Sequence, residues 1–244
     1  MLTEQIIVIT GAYGGVGEAI AKDLASRGAN LCLTGKDGNK LERLKLSILQ
    51  KRKNTYPHQH IECYPADLKE PPCIDAMAKE LTAVHPKIHA LIHTAGIIFS
   101  DVQIAASPQL EKEQLQINTE APSHLTQLLL PSLADCQSII IFINSSAGIR
   151  EKEGFGKYSK SKSQLKQDAD DLRKTINPRG IRVTSVYLGR TATPMQKRLH
   201  RESNQPYHPE NLIQPDDIAH LITLLLTLPK TSEVTDIHVR PTKK

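Results

Sequence analysis

The chain has 244 residues, 39% of them hydrophobic and 23% charged, with a formal net charge of +5 at pH 7. This suits one domain and excludes wholesale disorder, collagen-like repeats and a disulfide scaffold. No apolar run reaches the roughly 18–20 residues that span a bilayer, and aromatics are only 4% with no basic–aromatic interleaving, so neither a membrane nor a nucleic-acid partner is expected. The N-terminus lacks a basic region before its short apolar run, which points to a cytoplasmic protein.

In chain order, strands are predicted over 5–10, 30–34, 60–64, 88–93, 138–144, 181–187 and 234–239. Most are continuous apolar runs, the pattern of strands buried on both faces of a parallel sheet. Helices are predicted between them, over 16–27, 40–53, 74–84, 109–133, 158–176 and 215–228. The alternation describes a single doubly wound α/β (Rossmann) domain over 1–244, with about seven parallel strands and helices on both faces. The segment 193–214 is the most irregular. It follows the sixth strand and is placed to cover a site as a lid. Its Lys197, Arg198, His200, Arg201 and His208 either favour an anionic group or form a solvated basic loop. The four cysteines, Cys32, Cys63, Cys73 and Cys136, form no C-x-x-C pair and are expected to be reduced and buried. His85, His89 and His93 recur every four residues, but Pro86 interrupts them and no metal site is expected.

The first strand runs into Thr10-Gly11-Ala12-Tyr13-Gly14-Gly15-Val16-Gly17, where a helix begins. A glycine turn between strand and helix lets the backbone approach a pyrophosphate, which the helix N-terminus attracts. No Lys-Ser/Thr follows, so the turn is not a P-loop. Tyr158 and Lys162 share a helix face, where an ammonium is expected to lower the pKa of a phenol and make it an acid/base group. That pair alone is weak, since about half an occurrence is expected by chance. Ser145 stands 13 residues earlier, at the end of an apolar strand and at the same sheet edge as the glycine turn.

Together these motifs resemble the short-chain dehydrogenase/reductase family in its compact one-domain form. The glycine turn matches at Thr10, Gly11, Gly15 and Gly17. Asp67, with Leu68, matches the family's adenine contact. Thr94-Ala95-Gly96 follows His93 where the family has Asn-Asn-Ala-Gly. Asn118 matches the helix asparagine, and Ser145, Tyr158 and Lys162 match the serine and Tyr-x-x-x-Lys motifs. Gly189 and Thr193 match Pro-Gly-x-x-x-Thr, with Leu188 in place of the proline.

The resemblance implies an NAD(P)-dependent oxidoreductase acting on a small carbonyl/alcohol substrate. Tyr158 would be the acid/base, and Lys162 would lower its pKa and bind the nicotinamide ribose. Ser145 would orient the carbonyl, Asn118 would hold a relay water, and Thr193 would fix the nicotinamide amide. A homodimer or homotetramer through the helices 109–133 and 158–176 is implied too. In the first of these, Leu125, Leu128 and Leu129 form an apolar face for core or partner. Gly35 ends the second strand without the carboxylate that accepts from a ribose 2′-OH, and Lys36 follows it. NADP(H) is therefore the expected cofactor, with NAD(H) the alternative. Asp37 either repels the 2′-phosphate or caps the next helix. The rival reading is a non-catalytic dinucleotide-sensing or regulatory protein on the same fold.

Overall fold

The computed structural model describes residues 2–51, 56–134 and 138–243. Among them, seven strands form one parallel sheet: β1 Ile6–Thr10, β2 Asn30–Gly35, β3 Ile61–Pro65, β4 Ala90–His93, β5 Ile139–Ser145, β6 Arg182–Leu188 and β7 Asp236–Val239. Their spatial order is β3-β2-β1-β4-β5-β6-β7. The chain winds outward from β1 and then returns to its other side at β4, so the topological switch point lies between β1 and β4.

Alternate residues of the apolar strands feed two cores. Ile7 and Ile9 of β1, with Ile139, Ile141 and Ile143 of β5, meet α1 (Gly15–Ser26), α2 (Gly38–Lys51) and α9 (Pro215–Thr227) on one face. Val8, Ile140 and Phe142 meet α3 (Pro71–Val84), α6 (Ala121–Ala134) and α7 (Gly156–Ile176) on the other. Such two-sided burial is what the uninterrupted apolar strands predict.

The structure departs from the sequence reading in several places. The single helix expected over 109–133 is α5 (Gln109–Leu115), a π-helical turn at Gln116–Glu120 and then α6. A short α4, Asp101–Ala106, precedes it, started by a capping box in which Ser100 and Gln103 satisfy each other's backbone. The stretch 193–214 is largely ordered by local bonding: it holds α8 (Pro194–Glu202), capped by Thr193, and a 3₁₀ turn at Pro209–Asn211. Residues 52 and 53 of the second predicted helix lie outside the described residues, as does Cys136. Cys32 is buried and Cys63 half-buried, but Cys73 is exposed in the first turn of α3. Leu125 and Leu129 are core, while Leu128 faces outward. Among the described residues no helix is long and apolar enough to cross a membrane.

The α1–α9 contact carries a polar tie. Asp23 accepts hydrogen bonds from Arg27 Nε at 2.9 Å and Thr223 Oγ1 at 2.6 Å. Burial raises the Asp23 carboxyl, but the bonds from Arg27 and Thr223 outweigh it and hold the group below its usual 3.8. A depressed carboxyl stabilises the fold above its unfolded pKa, and that contribution is lost as pH falls through the folded value. Asp23→Asn is expected to cost about 1–3 kcal/mol at pH 7, with the difference from the parent narrowing below about pH 4. Urea unfolding at several pH values measures both; a constant difference down to pH 3 contradicts it.

Candidate active site

Because every strand is parallel, Thr10, Gly35, His93, Ser145 and Leu188 end at one sheet edge. There Gly11 has φ +64°, and a side chain on it would meet the Ala95 backbone at 2.8 Å. Only glycine joins β1 to α1 this closely against the β4 end. A Cβ on Gly17 would strike the Gly11 carbonyl oxygen and Thr94 Oγ1. Thr94 ties the end of β4 to the end of β1. Its hydroxyl donates to the Thr10 carbonyl at 2.5 Å, and its N–H donates to Thr10 Oγ1 at 3.2 Å. Helix α1 starts from Gly14 with no side-chain cap. Its first-turn N–H groups thus remain for an anion, which fits a dinucleotide pyrophosphate. Val16 and Ala95 line this turn while packing on the two cores.

Ser145 closes β5. Its N–H is held by Asn144 Oδ1 at 2.7 Å, and its hydroxyl accepts from Ala147 N–H at 3.2 Å. Tyr158 and Lys162 lie in the first turns of α7, 9% and 4% exposed. Helix α7 is held close to β5: Asn144 Nδ2 donates to the Lys162 carbonyl at 3.1 Å, and a Cβ on Gly148 would lie 2.7 Å from that same oxygen. The Lys162 ammonium reaches the Ile143 carbonyl at 3.5 Å and lies beside Gly96 and Asn118. Asn118 is fully buried in the π-helical turn. Its Oδ1 accepts from Ile97 N–H at 2.8 Å, and its Nδ2 donates to Ile97 O at 2.9 Å and Ser161 Oγ at 3.1 Å. The amide is committed to positioning, so a relay water cannot depend on its side-chain donors.

The electrostatics differ from the simple Tyr–Lys expectation. Burial raises the Tyr158 phenol, and a hydrogen bond with Ser145 lowers it by less. Burial in turn drives the Lys162 ammonium down to about 8. His93 is stacked on Phe142 at 5.0 Å, bonded to Thr126 Oγ1 at 3.0 Å, and pushed by burial, then by Lys162, to about 3. It is neutral at physiological pH. The three periodic histidines go to separate places: His85 pairs with Glu62, and His89 Nδ1 accepts from Ile6 N–H at 3.0 Å.

At the far end of the crevice the Tyr13 ring lies against Gly35, and its hydroxyl accepts from Asp37 N–H at 3.2 Å. Asp37 caps α2 by accepting from Lys40 N–H at 3.1 Å, the second of its two expected roles. Lys36 and Asp67, expected to hold different parts of a cofactor, pair with each other at 2.8 Å. The Leu68 side chain belongs to the core, which leaves its backbone for a ligand. Thr193 lies over Gly15, while its hydroxyl accepts from Gln196 N–H at 3.3 Å. Gly189 packs against Pro241. Asn144, Ser161 and Thr119, which brace Lys162 and the π-helical turn, carried no sequence signal beyond their proximity to the motifs.

A family model described as short chain dehydrogenase matches residues 5–204. The chain belongs to that family. It is 26% identical over 244 residues, 99% of each chain, to an uncharacterized oxidoreductase of Staphylococcus aureus (strain N315). Its fold is similar to a metagenomic short-chain oxidoreductase solved in complex with NADP, with TM-score 0.82, 27% identity, and coverage of 100% of this chain and 99% of the other. A short-chain dehydrogenase from Shigella flexneri complexed with NADP gives TM-score 0.85 at 25% identity, over 97% of each chain. This short-chain dehydrogenase is thus an oxidoreductase whose structural relatives include NADP complexes.

The burial of Lys162 predicts a measurable cost. The unfolded lysine keeps its proton up to its usual 10.5, whereas the folded one releases it near 8. Below pH 8 the fold therefore carries a penalty on the order of 3 kcal/mol for the buried charge. Lys162→Met keeps most of the stem and removes the charge, and is expected to be more stable than the parent at pH 7 by about 1–3 kcal/mol. The gain should shrink as pH rises from 8 towards 10. A destabilised Met variant at pH 7 in denaturant unfolding would contradict this.

Proposed function

We propose that this short-chain dehydrogenase is an NADP(H)-preferring oxidoreductase interconverting a small-molecule carbonyl and its alcohol: carbonyl + NADPH + H⁺ ⇌ alcohol + NADP⁺. The observation that carries this reading is the convergence of Ser145, Tyr158 and Lys162 at the β5 end, braced by Asn118 and facing the glycine turn. When bound, the nicotinamide supplies or accepts the hydride. The Gly11–Gly17 turn, with Tyr13 and Gly14, would hold the pyrophosphate side, and Lys36 the 2′-phosphate. Asp67 and the Leu68 backbone would hold the adenine, Thr94, Ala95 and Gly96 the middle, and Gly189 and Thr193 the nicotinamide. Lys162, with Tyr158, would hold the nicotinamide ribose.

Ser145 would donate its hydroxyl proton in a hydrogen bond to the substrate oxygen and fix it beside the phenol. In reduction Tyr158 gives its proton to the oxygen that gains negative charge; in oxidation the phenolate takes it back. Lys162 stabilises the phenolate and steers proton return. The raised Tyr158 supports a protonated acid through the neutral range. The same reading takes the protein as a cytoplasmic homodimer or homotetramer, supported by Leu115 and Leu128, which face outward from α5 and α6.

Tyr158→Phe keeps the ring and removes the proton, so turnover should fall about 10²–10⁴-fold with cofactor affinity little changed. Near-parental turnover would overturn the assignment. In the parent, reduction should be nearly flat over pH 6–8 and oxidation should rise with pH, because burial holds the phenol protonated. Oxidation falling as pH rises through this range would contradict the acid/base role.

Cofactor choice has its own test. Lys36→Ala should weaken NADPH binding by about 5- to 30-fold and leave NADH nearly untouched. Asp67→Asn releases Lys36 and should widen the NADPH-over-NADH preference. Equal losses for both cofactors in the Ala variant, measured by fluorescence titration, would remove Lys36 from the phosphate site.

A further inference from the structure

Away from the crevice, one group of metal-ligating side chains comes together among the described residues. Cys32 of β2, Glu62 of β3 and His85 after α3 bring a thiol sulfur, a carboxylate oxygen and a ring nitrogen within 4.8 Å of one another. Spacing along the chain hides the group, because its members come from two strands and a helix end.

The fold assembles it from the sheet edge inward. Cys32 and Glu62 are partners in the parallel register of β2 and β3, so their side chains leave the sheet on the same face. Tyr64, two residues further along β3, shares that face, which α3 covers. His85 ends α3. Its N–H still donates to the Leu81 carbonyl at 2.8 Å, but its own backbone has left the helix. Its Nε2 lies 2.6 Å from Glu62 Oε2, and Tyr64 Oη donates to the same oxygen at 2.7 Å.

Glu62 occupies an inward position on the edge strand, where a carboxylate needs partners. His85 and Tyr64 both engage Oε2, which leaves Oε1 for a cation. Cys32 is 2% exposed, and burial raises its thiol, so on its own it is neither charged nor a nucleophile. Sulfur, nitrogen and oxygen donors together suit a borderline-soft divalent ion, whereas calcium and magnesium take oxygen ligands. Zinc bonds of about 2.0–2.3 Å set tetrahedral ligands roughly 3.3–3.8 Å apart. Side-chain rotations that move these donors by about 1 Å reach that spacing.

We propose that Cys32, Glu62 and His85 form a zinc(II) site, with water in the fourth position and Tyr64 holding the carboxylate from outside. On binding, the thiol proton passes to solvent, and the neutral His85 ring carries its proton on Nδ1 while Nε2 meets the metal. The site is three to four strand positions from β5, each about 4.8 Å, so it stands apart from Ser145 and Tyr158. Its role is to fasten the end of α3 to the sheet edge, and the hydride chemistry does not enter it.

The full chain, stripped with a chelator and kept reduced with a phosphine, should bind one zinc ion tightly in competition with a chromophoric chelator. Cobalt(II) in its place should give a near-ultraviolet thiolate-to-cobalt charge-transfer band and the intense visible bands of tetrahedral cobalt. Cys32→Ala should abolish the charge-transfer band, whereas Cys73→Ala, which alters an exposed cysteine, should leave it. His85→Gln and Glu62→Gln should each weaken zinc binding at least as much as the roughly 10- to 100-fold lost with an outer-shell partner, and Tyr64→Phe within that range. Zinc should raise the unfolding temperature of the parent and not that of His85→Gln. A parent that binds no zinc, a charge-transfer band that is absent from the parent or survives in Cys32→Ala, or zinc affinity unchanged in both Gln variants overturns the site. What would then remain is a Tyr64–Glu62–His85 hydrogen-bond network. His85→Gln retains an amide in place of the ring, so it decides the matter if Cys32→Ala folds poorly.

Discussion

Lys162 keeps an ammonium inside the protein, 4% exposed, with the Ile143 carbonyl at 3.5 Å and, among the described residues, no carboxylate in ion-pair range. Water solvates such a group far better than one long carbonyl contact does. The local architecture exists to hold it there. β5 contributes Ile143 and Asn144, α7 contributes Ser161, the π-helical turn contributes Asn118, and the loop after β4 passes at Gly96. Gly148 lets α7 approach closely enough for all of these to meet, because any side chain there would strike the Lys162 carbonyl. The two large apolar cores on either side of the sheet supply the stability that offsets this local cost.

The charge around Lys162 follows a consistent pattern. His93, buried next to it and pushed to about 3, stays neutral and adds no competing charge. Two acids that follow β3 and β4 are spent elsewhere: Asp67 pairs with Lys36, and Asp101 accepts from the first N–H groups of α7. Under the proposed function, Ser145, Tyr158 and Lys162 would present polar or positive groups to an oxygen that becomes negative as hydride arrives. A carboxylate near Lys162 would solvate the ammonium better but would oppose that developing charge. The site accepts poorer solvation of the lysine in exchange for a field of one sign.

The sheet and its sequence of motifs were legible because both rest on local patterns. Runs such as Ile139–Ser145 report burial on two faces, and the glycines at Gly11 and Gly17 report contacts that no side chain permits. The π-helical turn was not legible. It arises because Asn118 bonds both main-chain groups of Ile97, a contact 21 residues distant, and helical periodicity carries no record of such a pull. Helix α8 was hidden for a related reason: its polar, basic composition resembles a loop, and its order depends on Thr193 capping and on the Arg198 tie to Ile98. The phenol's raised pKa was missed since spacing shows a nearby lysine but not the depth at which both are buried.

At the opposite end of the crevice, the proposed NADP(H) preference depends on a difference between two bound states. Lys36 is 64% exposed in its pair with Asp67, so water screens the attraction and the pair is easily exchanged. A cofactor without a 2′-phosphate gives Lys36 no better partner, and the pair persists. A 2′-phosphate offers up to two negative charges and several acceptor oxygens, against one carboxylate oxygen at 2.8 Å. Gly35 contributes no carboxylate to oppose it, and Asp37 is turned into the start of α2. Tyr13, seated on Gly35 with its hydroxyl accepting from the Asp37 N–H, fixes the backbone from which Lys36 projects. The exchange therefore requires movement of one exposed side chain and no rearrangement of the strand end.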